Sequence, residues 1–514
     1  MSDGKIIQEN GENIMPITYE TCVLDDEGNP ITETIGDVSL LNTESRNLVG
    51  AVNEVFGDII KEQVVDVMID NGIETTTDEN WKGIIEKIDN GLEKANKIED
   101  ARDILAGLMQ EGGYDITGEE DIDILLNKLT ISGIKLNEIK QIYCAGQYYS
   151  MIVKKDGSLW ATGYNGYGQL GLGDTTNRNT FTQVTTNINN DVEYVVCGDN
   201  HTMIVKKDGS LWACGWNTYG QLGINSSSTS THTTFVEVTH NMDDKNIKYL
   251  SCGYAHSVVV KNDGSVWSCG YNEYGQLGLN NNDNKYIFTQ VTTNINNDVK
   301  QVACGGWHTV ILKNDGTVYS CGANNYGQLG LGNTTTYKTF TKVTTNINND
   351  VKQIDCGYFH SMIIKTDGSL WGTGDNYFGQ LGLNDTTQRT TFTQVTTNIN
   401  NDVECVSCGG IYMSSQSYGV TMILKTDGSV WCSGTNNSGQ MGLGNSITNK
   451  STFTQVTTNI NNDVKMISCG GQHSMILKID GTVWGTGHNS YGSLGIGTND
   501  VKYTYSPVAK GFMY

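Results

Sequence analysis

Three sets of residues in this 514-residue chain recur at spacings that could do chemistry. His201, His256, His308, His360 and His473 each stand four positions after a cysteine, and five imidazoles could form a metal or acid–base cluster. Cys144, Cys197, Cys252, Cys304, Cys356, Cys408 and Cys469 share one slot before Gly or Ala, and Cys405 with Cys408 forms a CxxC pair. Such thiols could hold a metal or exchange disulfides. The stretch "KKDGSLWACGWNTYGQLG", Lys206 to Gly223, ends in glycines of the kind that cradle phosphate.

Spacing weakens all three. The histidines come one per repeat, so they are expected around a ring, each tying its own loop by hydrogen bonds. The CxxC has no matching second pair, and a cysteine that recurs on a strand packs as a small hydrophobe. A phosphate loop needs a helix after its glycines, whereas Thr/Asn-rich loops and another strand follow here. Neither a metal nor a cofactor is expected, and no carboxylate pair or nucleophilic triad stands out, so the chain reads as a non-enzyme.

The elements that carry these residues repeat seven times. An Asp-Gly turn lies at Asp156, Asp208, Asp263, Asp315, Asp367, Asp427 and Asp480, at spacings of 52, 55, 52, 52, 60 and 53 residues. That period suits propeller blades. Within a unit, "DVKQIDCG" alternates apolar and polar residues as a half-buried strand does, and "HSMIIK", "SLWGTG" and "FTQVTT" supply three more strands. Asp-Gly is expected to make a type I′ hairpin turn. Trp160, Trp212, Trp267, Trp371, Trp431 and Trp484, with Tyr319 in the fourth unit, are expected to pack blade on blade. The fold class is mainly β: a seven-bladed β-propeller of four-stranded blades over 134–514, with strands from both ends of that region expected to complete one sheet and close the ring.

The recurring "CG..H....K.DG.(L/V)W..G.N..GQLG" resembles the repeat of the regulator-of-chromosome-condensation family, seven-bladed propellers that recognise proteins and include a small-GTPase exchange factor. The family also includes a plant ultraviolet photoreceptor, whose Gly-Trp-Arg-His-Thr stretch is not matched, since Gly306–Thr309 reads "GWHT". Function is therefore sought where the units differ. The loops after "CG" and after the third strand are expected on one face, offering Tyr148, Asn200, Tyr254, Trp307, Tyr358, Phe359 and Tyr412 from the first, and Tyr164, Trp216, Tyr271, Asp375 and His488 from the second. Aromatic and polar side chains together suit a glycan or a protein hot spot. The sixth unit alone carries an excess, "IYMSSQSYGVT".

Residues 1–133 differ in period and charge. They hold 30 acidic and 9 basic side chains, so most of the net −23 sits there and the remainder is near neutral, which disfavours nucleic acid as partner. Neither a signal peptide nor a membrane-spanning run is apparent, so assembly in a bacterial cytoplasm is expected. Leu41, Leu48, Val52, Val55 and Ile59 make a heptad-like seam, expected to form a coiled coil and a homo-oligomer, with a trimer favoured. Thr76/Glu79 and Thr117/Glu120 have capping-box spacing, so this front is read as a small α-helical attachment region. "IGDVSLLNTESRNLVGAVNEVFGDI", Ile35 to Ile59, resembles segments of bacteriophage tail-fibre and baseplate-associated proteins. That resemblance implies a virion component of a phage tail or tail-like particle, attached to other tail or baseplate proteins. Its propeller would bind a host cell-surface glycan or surface-layer protein for host attachment. The other reading is an intracellular protein-interaction propeller, exchange on a small GTPase included, or a purely structural tail protein.

Overall fold

The computed structural model describes residues 139–508, apart from 147, 227–230, 243–244, 414–415 and 445–447. The heptad seam, the capping boxes and the tail-fibre-like stretch all lie outside the described residues. Seven four-stranded antiparallel sheets follow one another along the chain, over 139–184, 192–237, 247–291, 299–342, 351–394, 403–455 and 464–507, referred to below as blades 1 to 7. In each, strand order in the sheet equals chain order. The first strands touch one another around the axis and line a central cavity of about 460 Å³.

The second strand of a blade, such as Tyr149–Lys154 or His201–Lys206, is buried at every position, so the sheet is apolar on both faces, and the structure buries those faces between blades. One cluster joins Val153, Leu159 and Leu170 of blade 1 to Val195, Ile204 and Phe235 of blade 2. Its equivalents sit at every other junction, ending with Met475, Leu477 and Val483 of blade 7 against Ile139, Ile142 and Ile152 of blade 1. Closure therefore differs from the expectation of a shared sheet. Blade 1 begins with its own strand Ile139–Cys144, and the C-terminal Lys502–Pro507 is the outermost strand of blade 7. The ring is shut by side chains and loops: Cys144 N donates to Ser468 Oγ (2.8 Å), Gly471 N to Gly146 O (3.1 Å) and Thr162 Oγ1 to Gly492 O (2.8 Å). No strand exchange is needed because both terminal blades are already complete.

The Asp-Gly turn also differs from expectation. Gly157 N donates to Lys154 O (3.0 Å), so Lys155 and Asp156 are the central pair and only Gly157 takes a positive φ, 90°. The Asp156 carboxylate accepts from Ser158 N (2.8 Å), which holds Asp at the second central position. A Cβ at Gly157 would meet Asn190 O at 2.2 Å. The near-invariant "TTNINND" linker explains itself in the same way. Asn187, at φ 63°, donates from Nδ2 to Phe235 O (2.9 Å) of the next blade, while Lys206 of that blade reaches back to Asn187 O (2.8 Å) and Asp191 (3.1 Å). The Lys206 ammonium also lies 4.2 Å from the Trp212 ring centre, and its equivalents lie at 4.5–4.6 Å in blades 1, 3, 4, 6 and 7 and at 4.3 Å in blade 5.

The five histidines form bonds between neighbouring blades. His201 Nε2 meets Ser257 Oγ (2.9 Å), His256 meets Thr309 (3.0 Å), His308 meets Ser361 (2.9 Å), His360 meets Thr421 (3.0 Å) and His473 meets Ser150 (2.9 Å) across the closing junction. Each hydroxyl spends its proton on a backbone carbonyl, as Ser257 does on Gln221 O (2.8 Å), so the imidazole must present Nε2–H. The "CG" glycine makes this possible: a Cβ at Gly357 would sit 2.1 Å from His360 Cε1. Tyr149 replaces the histidine in blade 1, donating to His201 O (2.7 Å), and Val420 fills the slot in blade 6. The slot cysteines are buried, and burial pushes the Cys144 and Cys304 thiols up to about 12. Cys405 and Cys408 lie three apart on one strand and so face opposite sides; Cys405 abuts Gln353 (3.7 Å). Among the described residues no group of three or more His, Cys, Asp or Glu could hold a metal.

Two outcomes follow from this packing. Tyr505 is fully buried at the junction of blades 6 and 7, whereas Tyr503 on the same strand is 38% exposed. Tyr505→Ala is expected to cost about 3–5 kcal/mol and Tyr503→Ala less than about 0.5, read as shifts in urea midpoint. Burial also holds each of the five imidazoles at a pKa of about 3, against 6.5 when unfolded. Their contribution is intact above pH 6.5 and is lost as pH falls toward 3, because the unfolded chain protonates first. Asp199 and Asp355, raised by burial to about 7, act oppositely, since the folded chain takes up their protons first between 7 and 3.8. His232 and His488, also lowered by burial, add to the loss, and Asp375, also raised by burial, opposes it; with the histidines in the majority, the unfolding free energy should fall as pH drops from about 6 to 4.5, with a slope set by the excess protons bound on unfolding. His308→Gln, which keeps an amide donor, should lower that slope by about one; a flat profile would contradict the arrangement.

Candidate functional site

The loops after the first and third strands of every blade emerge on the same face, and the glycines of "GQLG" fold the second of them back onto the next blade. A Cβ at Gly171 would strike the Phe235 ring at 2.4 Å, so only glycine lets the loop lie flat there. Asn165 Oδ1 accepts from Leu170 N (3.0 Å) and Gln169 Oε1 from Tyr167 N (3.0 Å), which locks the return in place. The loops are thus rigid platforms, and their rings meet across blade boundaries.

A continuous chain of ring contacts runs around this face. It passes from His488 of blade 7 to Tyr148 (4.6 Å between centroids), then through Tyr491, Tyr164 and Tyr167 to Trp216. From Trp216 one branch follows Tyr219, Tyr271 and Tyr274 to Trp307, where the last two rings stack at 5.1 Å, and another reaches Trp307 through Tyr254. Trp307 then touches Tyr358, Phe359 and Tyr412. Ten of the twelve residues singled out in the sequence belong to this network.

The other two do not present themselves to solvent. Asn200 is 5% exposed and closes its loop by accepting from Trp216 N at its backbone oxygen (2.8 Å). Asp375 is 4% exposed, accepts from Tyr377 N (3.0 Å) and lines a second cavity of about 340 Å³ with Tyr326, Tyr377 and Ser417. Tyr358 and Phe359 are also buried, beneath the face rather than on it. The rings that sequence reasoning missed, Tyr167, Tyr219, Tyr274, Tyr326, Phe378 and Tyr491, share one slot just before the "GQLG" or "GSLG" glycine. That recurrence was a readable signal.

Blade 6 breaks the sevenfold pattern. Its first two strands, Val403–Met413 and Gln416–Lys425, are longer than those of any other blade and stay paired out to Met413 and Gln416. The excess "IYMSSQSYGVT" is thus the end of a hairpin, which carries exposed Tyr412 and Met413 and stacks Tyr418 on Phe378 (5.1 Å).

At the axis the face narrows to a ring of seven equivalent positions, one per blade: Gly146, Asp199, Tyr254, Gly306, Tyr358, Gly410 and Gly471, six of which line the central cavity. Two of the four glycines leave space that the Asp199 and Tyr358 side chains occupy. A Cβ at Gly146 would fall 1.9 Å from Asp199 Oδ1, and one at Gly306 would fall 2.5 Å from the Tyr358 ring. Burial, then the Asp199 charge, raises Tyr254 to about 12 and raises Tyr358 further.

The repeats match the family described as the regulator of chromosome condensation (RCC1) repeat, over residues 156–205, 208–260, 263–312, 315–364, 367–412 and 427–477. The chain is 30% identical over 357 residues to the ultraviolet-B receptor UVR8 of Arabidopsis thaliana, which covers 69% of this chain and 78% of that one. It is 30% identical over 331 residues to the human X-linked retinitis pigmentosa GTPase regulator, 54% of this chain but only 32% of that protein. Among solved structures, human WBSCR16 superposes with a TM-score of 0.59 at 24% identity, over 68% of this chain and 94% of that one. Prp20p of Saccharomyces cerevisiae superposes at 0.60 and 17% identity, over 72% and 88%. Both show the shared fold. With these repeats set on seven blades of one closed ring, the chain belongs to the regulator of chromosome condensation repeat family.

Proposed function

We propose that the chain is a non-enzymatic protein-recognition propeller whose aromatic face, with the blade 6 hairpin rising from it, docks a partner protein. One observation carries this reading: the rings are joined around all seven blades, while a hairpin in one blade alone gives the face a direction. Shape needs only the shared residues, so an added hairpin tipped with exposed Tyr412 and Met413 suits selective contact. The relatives agree with this class. One is named a GTPase regulator, and Prp20p is described by its binding to Gsp1p and histones. Guanine-nucleotide exchange on a small GTPase is one form that such docking could take.

The tail-particle setting, with a host glycan or surface-layer protein as receptor and copies joined through Leu41, Leu48, Val52, Val55 and Ile59, rests on the stretch 35–59. The family matches begin at residue 139. Exposed Tyr377 (64%) and Tyr491 (38%) are the observation that keeps sugar stacking as a second reading.

Proteins captured from the native host by the full chain should separate the two. Tyr412→Ala and Tyr491→Ala, both at exposed rings, are expected to weaken a genuine protein partner by at least about tenfold without shifting thermal stability. Capture that is indifferent to these changes, together with saturable binding on a glycan array, would replace the protein reading with the glycan one.

A further inference from the structure

The axial mouth holds a carboxylate in an unusual setting. Asp199 is 5% exposed, and its Oδ2 has no hydrogen-bond partner among the described residues. A buried carboxylate without a partner is costly to keep charged, and burial alone raises its pKa to about 7. The groups around it are rings rather than cations: Tyr254 and Tyr358 share its ring of positions with centroids 6.1 Å apart, and Trp307 lies 6.5 Å from Tyr254 and 5.7 Å from Tyr358. The Tyr148 phenol, too, is raised by burial, then Tyr491, then the Asp199 charge. Trp307 Nε1 is buried and likewise unpartnered.

The rest of the mouth is backbone. Gly146, Gly306, Gly410 and Gly471 supply no side chain, so among the described residues no cation at this level neutralises the carboxylate. The cavity below adds Asp355 and Glu404 against the single basic residue Lys465, which leaves the lining net acidic. A carboxylate with an unpaired buried oxygen, close enough to the Tyr254 and Tyr358 phenols for its charge to act on them and held in a glycine-lined opening, is complementary to a cation with apolar flanks.

We infer that the mouth formed by Asp199, Tyr254 and Tyr358, with Trp307 packed behind the two tyrosines, is a binding site for one cationic side chain, arginine or lysine, of the docked partner protein. The inference rests on the docking reading above, because the mouth lies at the centre of the aromatic face. The cation would pair with the Asp199 carboxylate, which lines the cavity together with Tyr254 and Tyr358, so it would act as the anchor and the hairpin would select its surroundings.

Small probes test the site without knowledge of the partner. At pH 8, the full chain should bind N-acetyl-arginine amide or N-acetyl-lysine amide saturably at millimolar concentration, followed by tryptophan fluorescence, with the neutral N-acetyl-citrulline amide at least about tenfold weaker. Asp199→Asn should lose that preference while melting no lower than the parent, since it removes an unpaired buried charge. Tyr254→Leu should weaken the cations and leave citrulline unchanged. Equal binding of citrulline, retention of the preference in Asp199→Asn, or no saturable binding by either cation up to about 50 mM would each overturn the inference. If the mouth is silent but capture through Tyr412 and Tyr491 persists, only the cation site fails; loss of both removes the docking reading as well.

Discussion

Everything in this ring depends on the burial of a sheet that is apolar on both faces. A four-stranded blade cannot cover itself, and the structure has no separate core for it to lean on. Each of the seven hydrophobic clusters is instead shared by two neighbours. Every blade is thus both a supplier and a user of burial, and the last must meet the first. That demand explains why residues far apart in sequence, such as Met475 and Ile152, pack together at the closing junction. It also explains why closure needs no exchanged strand, since two complete blades with matching faces suffice.

Polar groups fix what apolar burial leaves undetermined. The histidine–hydroxyl–carbonyl bonds set the height of one blade against the next near the face, and the Lys–Asp–Asn contacts do the same toward the opposite ends of those strands. Both cross the junction; the histidine bonds are buried, and in the other set the lysine is buried while its Asp and Asn partners reach solvent. Because the imidazole sits where a Cβ on the preceding glycine would be, Gly and His form one device rather than two. The loops above are thereby held from beneath, so their outward side chains are free to differ without loss of the fold.

Much of this was legible in the sequence. Seven Asp-Gly turns at near-equal spacing gave the blade count, and period-2 alternation gave the strands. The linker's near-identity, which looked like a marker of the repeat alone, proves to be a set of contacts to the following blade. Four features were misread for physical reasons. The type I′ turn failed because the Asp side chain prefers to cap Ser158 N from the second central position. Shared-sheet closure failed because Ile139–Cys144 pairs with the next strand, Tyr149–Lys154, and Lys502–Pro507 with the preceding one, Val483–Gly487, so each terminal blade completes its own four strands. The recurring tyrosine before "GQLG" escapes a search confined to positions where the units differ, yet a residue can repeat for shape and still supply surface. Asn200 and Asp375 are expected on the face because they stand in the loops where the units differ, although both are buried by loop closure.

Asp199 shows why variable positions need the three-dimensional ring before they can be interpreted. In one dimension it is a single acid among 56, at a slot where other units have Gly or Tyr. Only when the seven equivalents are brought to the axis does the pattern become one carboxylate, two phenols and four glycines. The glycines could be taken as accidents of a loose loop, but two of them leave space that the Asp199 and Tyr358 side chains occupy. Space, charge and ring faces then converge on the one point that a repeat protein makes unique, its axis. Sevenfold repetition builds the wall, and a difference confined to the innermost ring of loop positions is enough to give that wall a chemically specific opening.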